Sequence, residues 1–453
     1  MSGLTAAHRI ALAALIGRCP ETVLKSVSAA VAALPGGRAA ELRIMLAEEM
    51  RDRARRAMVL APIARMFQPR PDGIVSMTFP APVLPRLWRA AIEREPNLLP
   101  RLDEDGPDAV MVANRYCLSA AAAVRDRPAL IWPEDLAPAQ RAQGLTDLAW
   151  SLDLAHLARR ALPSIRIWLN RPDGDQLAEL RLLVKDCSEI HPDGASRLLE
   201  MLFSQLDEAV LVLRIITRTS GVAGRKGFLS ESELADFVDR LLDGVDERAA
   251  RLAAWRPDGG SGEVDTVMAD LDWCAGVLAE LDVTLTLDPD SEWGRRVRDN
   301  KGKVAGWLSG LLRTADKAVD KALPLTRVQT SGRMTRMAPM LEAAARGEAA
   351  DTALSLLRLV GATRGAAATF GSEAARKTLV EALTERLSDY ADQVLVLVND
   401  GEAGDERHAL RLVSIAARYL ELIEAKDAAR TVRRRAAVAG NGPATAGASS
   451  RAA

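Results

Sequence analysis

Aromatic residues are scarce in this chain: Phe, Trp and Tyr together account for 4% of 453 residues. The apolar content is instead mostly Ala, Leu and Val, and with Arg and Glu this mix favours helix packing against helix. Cysteine is equally sparse. Cys19, Cys117, Cys187 and Cys274 lie far apart and form no C-x-x-C pair, which argues against a disulfide or zinc framework and for reduced thiols in a cytoplasmic protein. An excess of charge of one sign is missing as well. Sixty basic residues against 61 acidic ones leave a net charge of −1, so no whole-molecule field draws the protein to nucleic acid or anionic lipid. No run approaches the roughly 18 apolar residues of a membrane span; the strongest, residues 210–216, is interrupted by Arg214. The apolar stretch at residues 10–16 has neither a basic leader nor a small-residue cleavage site, and it reads as a first helix rather than an export signal.

Catalytic signatures are absent too. The chain contains no G-x-S-x-G elbow, no H-E-x-x-H pair and no G-x-G-x-x-G after a strand. Histidine, the usual general base, occurs only at His8, His156, His191 and His408. Paired carboxylates in a helical bundle need no compact motif, so these absences lean against an enzyme without excluding one. No segment carries a motif specific enough to assign the chain to a family.

Hydrophobic residues make up 48% of the chain and charged residues 27%, the ordinary globular range with enough apolar material for several cores. The expected fold is all-α: several packed helical bundles, or an elongated multi-helix array, with little or no β-sheet. Proline and glycine divide it into an N-terminal helical module at residues 1–67 and a proline-rich linker at 68–86, followed by an irregular helical module at 87–169. A central long-helix module at 170–262, a C-terminal bundle at 263–438 and a disordered tail at 439–453 complete it.

In the first module, residues 4–16, 20–34 and 38–67 read as three helices. In the second, short helices are divided at prolines that include Pro163. Leu199, Leu202, Leu206, Ala209, Leu213 and Ile216 follow three- and four-residue steps and predict one central helix. Ser230 followed by Glu233 is a capping-box signature for the next. Residues 283–287 show the one clear period-2 alternation, read as an extended connection because a lone strand has nothing to pair with. Beyond it, residues 337–360, 373–398 and 405–435 predict long helices.

Several local patterns test for chemistry. Gly221, Gly224 and Gly227 with Arg225 and Lys226 lack the order of a phosphate loop, because Lys226 precedes the last glycine. Asp288, Asp290, Glu292 and Asp299 match part of a calcium loop, but Trp293 stands where glycine makes the turn. Cys187 with His191, and Asp153 with His156, each offer two metal ligands where a zinc site needs three or four. Cys19 before Pro20, with His8 as a base, is a thin case for a reactive thiol. No metal and no cofactor is expected.

The first functional expectation is a non-enzymatic cytoplasmic scaffold or adaptor working through protein contacts with an unidentified partner. The alternative is a helical enzyme or small-ligand-binding protein with a site between bundles. A third reading is a local basic-patch binder of nucleic acid or a membrane surface. Two segments are candidates for partner contact. One is the amphipathic helix whose apolar stripe includes Trp307 and whose other side carries Lys301, Arg313 and Lys317. The other is the cluster Arg430, Arg433, Arg434 and Arg435 at the end of the last helix, where arginine also offsets the helix dipole.

Overall fold

The computed structural model describes residues 4–104, 106–170, 174–219, 235–257, 261–284, 287–329 and 335–440. The fold is all-α, 77% helical against the roughly one third of an average globular protein. The chain forms two compact units, Met1–Gly221 and Val222–Ala453.

The first unit opens with α1 (Ala6–Arg18), α2 (Glu21–Ala32) and α3 (Gly37–Leu60), followed by a 3-10 turn at Ala64–Phe67. Thr5 caps α1 by accepting from the His8 N–H at 3.3 Å, which satisfies one of the orphan donors of a helix start. Ile16, Leu24, Val31 and Leu46 form the core of this three-helix layer. Residues 68–82 contain no helix, while residues 83–86, expected in the linker, form the first turn of a helix; Ile74 and Phe79 are buried.

The rest of the unit comprises α4 (Val83–Arg94), a 3-10 helix (Pro96–Asp103), α5 (Pro107–Asp126), α6 (Pro128–Ile131), α7 (Pro138–Asp153), α8 (Ala155–Asn170), α9 (Gly174–Ile190), α10 (Gly194–Gln205) and α11 (Ala209–Thr219). Helix α5 is its centre. Proline at its first position presets the helical φ, and buried Ala109, Ala113, Ala120 and Ala121 let neighbouring helices approach closely around Val112 and Tyr116.

The second unit contains α12 (Ala235–Ala254), α13 (Ser261–Thr284), α14 (Glu292–Ala322), the antiparallel pair β1 (Leu325–Gln329) and β2 (Thr335–Pro339), α15 (Glu348–Ala362), α16 (Glu373–Asn399), α17 (Glu406–Leu422) and α18 (Lys426–Gly440). Residues 288–292 start α14. Asp288 Oδ1 accepts from the Asp290 N–H at 3.0 Å, and Ser291 Oγ accepts from the Gly294 N–H at 3.0 Å. A side chain at Gly294 would stand 2.0 Å from the Asp288 carbonyl oxygen, so this turn admits only glycine.

Five expectations from the sequence are corrected. The helix predicted through Leu199 and Ile216 is broken: α10 ends at Gln205 and α11 begins at Ala209. The buried Arg70 guanidinium donates to the carbonyls of Phe203 and Leu206 and so terminates α10 from outside. Pro163 divides nothing, since α8 runs through it. The segment 405–435 is two helices, because Glu424 adopts a left-handed φ of 68° and reverses the chain.

Residues 337–360 do not form one helix; β2 and a turn precede α15. Val283 and Thr284, expected to be extended, are the last turn of α13, with Val283 83% exposed. The capping box at Ser230 and Glu233, the glycine loop at 221–227 and most of the tail lie outside the described residues.

Candidate binding cleft

Helix α14 is fixed at its N-terminal end by Arg296, which bonds Asp243 and Asp246 of α12, each at 2.6 Å. At its other end Leu323 leaves the helix and Pro324 turns the chain into β1, where the Pro324 carbonyl accepts from the Met340 N–H at 3.0 Å. The register pairs Leu325 with Pro339 and Arg327 with Met337. Paired residues share a face of an antiparallel ribbon, so Leu325 and Met337 lie on the same side. That side meets α16, whose Leu383, Leu387, Tyr390 and Val394 recur at helical spacing and are buried.

Between the end of α14, the ribbon and the middle of α16 lies a cleft of about 630 Å³, within the roughly 300–1,000 Å³ of ordinary binding pockets. Its apolar part is Val319, Leu323, Pro324, Leu325, Met337 and Leu387; its polar part is Asp320, Glu385, Arg386, Asp389, Tyr390 and Gln393. Leu325 and Met337 remain 40% and 50% exposed, so apolar surface faces solvent there.

Arg386 ties α16 to α14 by bonding Asp316 at 2.7 Å and Asp320 at 3.2 Å. Tyr390 is 4% exposed, and its hydroxyl has no hydrogen-bond partner among the described residues. Burial pushes its pKa up to about 12, so it stays a neutral phenol that can donate and accept.

The residues singled out in the sequence stand elsewhere. Lys301 pairs with Asp282, Trp307 is half-buried on α14, and Arg313 and Lys317 are exposed, with Arg313 Nε donating to the Ser309 carbonyl at 3.3 Å. On α18, Arg430 meets Asp427 at 3.0 Å, Arg433 meets Glu421, Arg435 chelates Asp392 at 2.5 and 2.6 Å, and Arg434 is exposed. None of the eight lines the cleft. The sequence points to α14 through its basic side, whereas the cleft uses Val319, Asp320 and Leu323 at the C-terminal end of that helix. The sequence signal for the cleft is the carboxylate pair Glu385 and Asp389, one turn apart on α16 beside Tyr390.

Two other constellations take shape without becoming sites. His191 Nε2 lies 3.1 Å from Asp153 Oδ2, its ring stacks on Trp150 at 5.1 Å, and His156 Nδ1 lies 3.0 Å from the Asp153 carbonyl. Asp153 also binds Arg125, Cys187 is buried with its thiol pushed up to about 12, and no group of three metal-ligating side chains occurs among the described residues. In the first three-helix layer, His8 Nδ1 is bonded to Thr5 Oγ1 at 2.8 Å and Cys19 packs against the core. No helix among the described residues is long and apolar enough to cross a membrane. Comparison with family models, with curated proteins and with solved structures finds no match for the chain.

Proposed function

We propose that the protein is a non-enzymatic cytoplasmic adaptor, and that the cleft between α14, the β-ribbon and α16 receives a segment of a partner protein. The observation that carries this reading is the apolar wall left open to solvent at Leu325 and Met337 in a cleft of about 630 Å³. Exposed apolar surface rimmed by polar groups is what a protein contact covers. The lining sets apolar side chains beside carboxylates, a guanidinium and a phenol, groups suited to holding the side chains of a segment. Free thiols at all four cysteines accord with a cytoplasmic setting.

The test is affinity purification from the native cell with the wild type and with a Leu325→Asp/Met337→Asp variant. Both positions are exposed, so the variant should melt at an unchanged temperature. The expected result is a partner recovered by the wild type and lost by the variant. Equal recovery by both, or a tightly bound metabolite in place of a protein, overturns the proposal.

A further inference from the structure

Three carboxylates, Asp320, Glu385 and Asp389, line the cleft against a single guanidinium, Arg386. Arg386 is already neutralised within the protein by Asp316 and Asp320. Glu385 and Asp389 stand one turn apart on α16, both exposed, and neither enters an ion pair among the described residues. Like charges at that spacing repel each other along a helix. The cleft therefore combines an apolar floor with a mouth in which carboxylates outnumber the one guanidinium that lines it.

Resting on the reading of the cleft as a protein-binding groove, we infer that its occupant is a partner segment presenting a lysine or arginine beside a bulky aliphatic side chain. The cation lies between Glu385 and Asp389, and the aliphatic group enters over Leu323, Leu325 and Met337. Charge complementarity favours this occupant over nucleic acid or phospholipid, whose phosphates carry the same sign as the mouth.

Tyr390 adds a polar contact at the floor. Its hydroxyl is closed to solvent and unpartnered. A segment that parts the floor side chains meets a neutral donor and acceptor that no described residue of the chain satisfies.

The experiment pans a random 12-residue peptide library on the full chain and measures a selected peptide by fluorescence polarisation. Enrichment of Lys or Arg next to Leu, Ile or Met is expected, with binding lost in Met337→Asp. Glu385→Gln/Asp389→Asn should weaken the peptide about tenfold or more, chiefly through slower association. Raising salt from about 50 to 500 mM should weaken it in the wild type and much less in that variant. Both changes are on the surface, so an unchanged melting temperature separates lost recognition from lost fold. Tyr390→Phe should weaken binding without altering the preference for basic peptides.

Peptides that need Met337 but are uncharged or acidic overturn this inference and leave the groove reading standing. A panel in which no peptide depends on Met337 overturns both. A dimer that Glu385→Gln/Asp389→Asn dissociates assigns the cleft to a second copy of the chain and overturns the partner-segment assignment.

Discussion

Replacing Arg70 with methionine removes one side chain and four hydrogen bonds that hold two distant stretches of the first unit together. The Arg70 side chain is 2% exposed and its partner Asp72 is 7% exposed. The guanidinium binds Asp72 through Nε at 2.9 Å and Nη2 at 2.5 Å, donates from Nη1 to the Leu206 carbonyl at 2.8 Å and to the Phe203 carbonyl, and stacks 3.9 Å above the Phe203 ring. Breaking a buried ion pair from one side costs about 3–5 kcal/mol, because the remaining charge stays in a poor solvent. The two carbonyls at the end of α10 lose their donors in the same step, at about 1–3 kcal/mol each when no water replaces them. These penalties overlap, and methionine recovers part of the packing on Phe203, so the expected loss stays near 3–5 kcal/mol. For a unit of this length each kcal/mol moves the melting temperature by about 2–4 °C, which predicts a fall of about 6–20 °C in calorimetry. Arg70→Met/Asp72→Leu, which removes both charges, should melt above Arg70→Met. A single variant within about 1 kcal/mol of the wild type in urea unfolding would refute the assignment of Arg70 as the bolt that ends α10.

Glycines give opposite signs on two helices. Gly306→Ala places a methyl group in open space on α14 and should stabilise the second unit by about 0.5–1 kcal/mol, whereas at Gly361 the added carbon stands 2.0 Å from the Leu422 carbonyl oxygen, and Gly361→Ala should cost about 1–3 kcal/mol in thermal unfolding. Burial pushes the thiols of Cys117, Cys187 and Cys274 up to about 11, 12 and 12, so at pH 8 Ellman's reagent should titrate Cys19 rapidly and the other three only after unfolding. The same shifts fix the sign of an alkaline effect: the folded state retains protons that the unfolded chain releases near pH 9, so stability is full below that pH and falls toward pH 11–12. The fall is about 1.4 kcal/mol per pH unit for each buried thiol, and a flat stability profile from pH 9 to 11 would contradict their burial.

Legibility in the sequence followed how locally each element is determined. Residues 373–398 were predicted helical and α16 spans Glu373–Asn399, because apolar spacing and strong helix formers agree there and Asn399-Asp400-Gly401 ends the run. The breaks at Leu206 and Glu424 carry neither proline nor glycine. One is imposed by Arg70, 136 residues away in sequence. The other uses a left-handed glutamate whose carboxylate meets Arg364 at 3.2 Å and Arg376 at 3.9 Å. The β-ribbon is illegible in the sequence for a related reason. Leu325, Arg327 and Gln329 share one face and Thr326 and Val328 the other, so neither face is cleanly apolar, while the cleaner alternation at 283–287 begins inside a helix. The cleft was illegible because its walls are contributed by α14, the ribbon and α16, and only tertiary packing brings Asp320 and Met337 beside Tyr390.

A feature visible in the composition acquires meaning only in the fold: nine of the 60 basic residues are lysine, which leaves 51 arginines. Among the described residues, several of them serve the C-terminal ends of helices to which they do not belong. Arg53 donates to the carbonyls of Ile16, Gly17 and Cys19 at the end of α1, Arg70 to those closing α10, and Arg376 to Val360 and Gly361 at the end of α15. Arg159 binds the Met58 carbonyl at 2.6 Å and the Val59 carbonyl at 2.5 Å at the end of α3, and its Nε reaches Asn114 at 3.0 Å. Carbonyls of the last helical turn have no partner within their own helix, and a rigid planar fork of five donors spans two of them in a fixed geometry that a compact ammonium does not provide. Arg159→Lys separates geometry from charge, since the substitution keeps the positive end opposite the helix dipole. If charge alone stabilises the end of α3, the variant melts with the wild type. If the fork matters, lysine satisfies one carbonyl, strands the other and releases Asn114, a loss of about 2 kcal/mol at roughly 1 kcal/mol per bond. That corresponds to about 4–8 °C in the melting temperature of the first unit. An unchanged melting temperature would return Arg159 to the role of a simple dipole counter-charge.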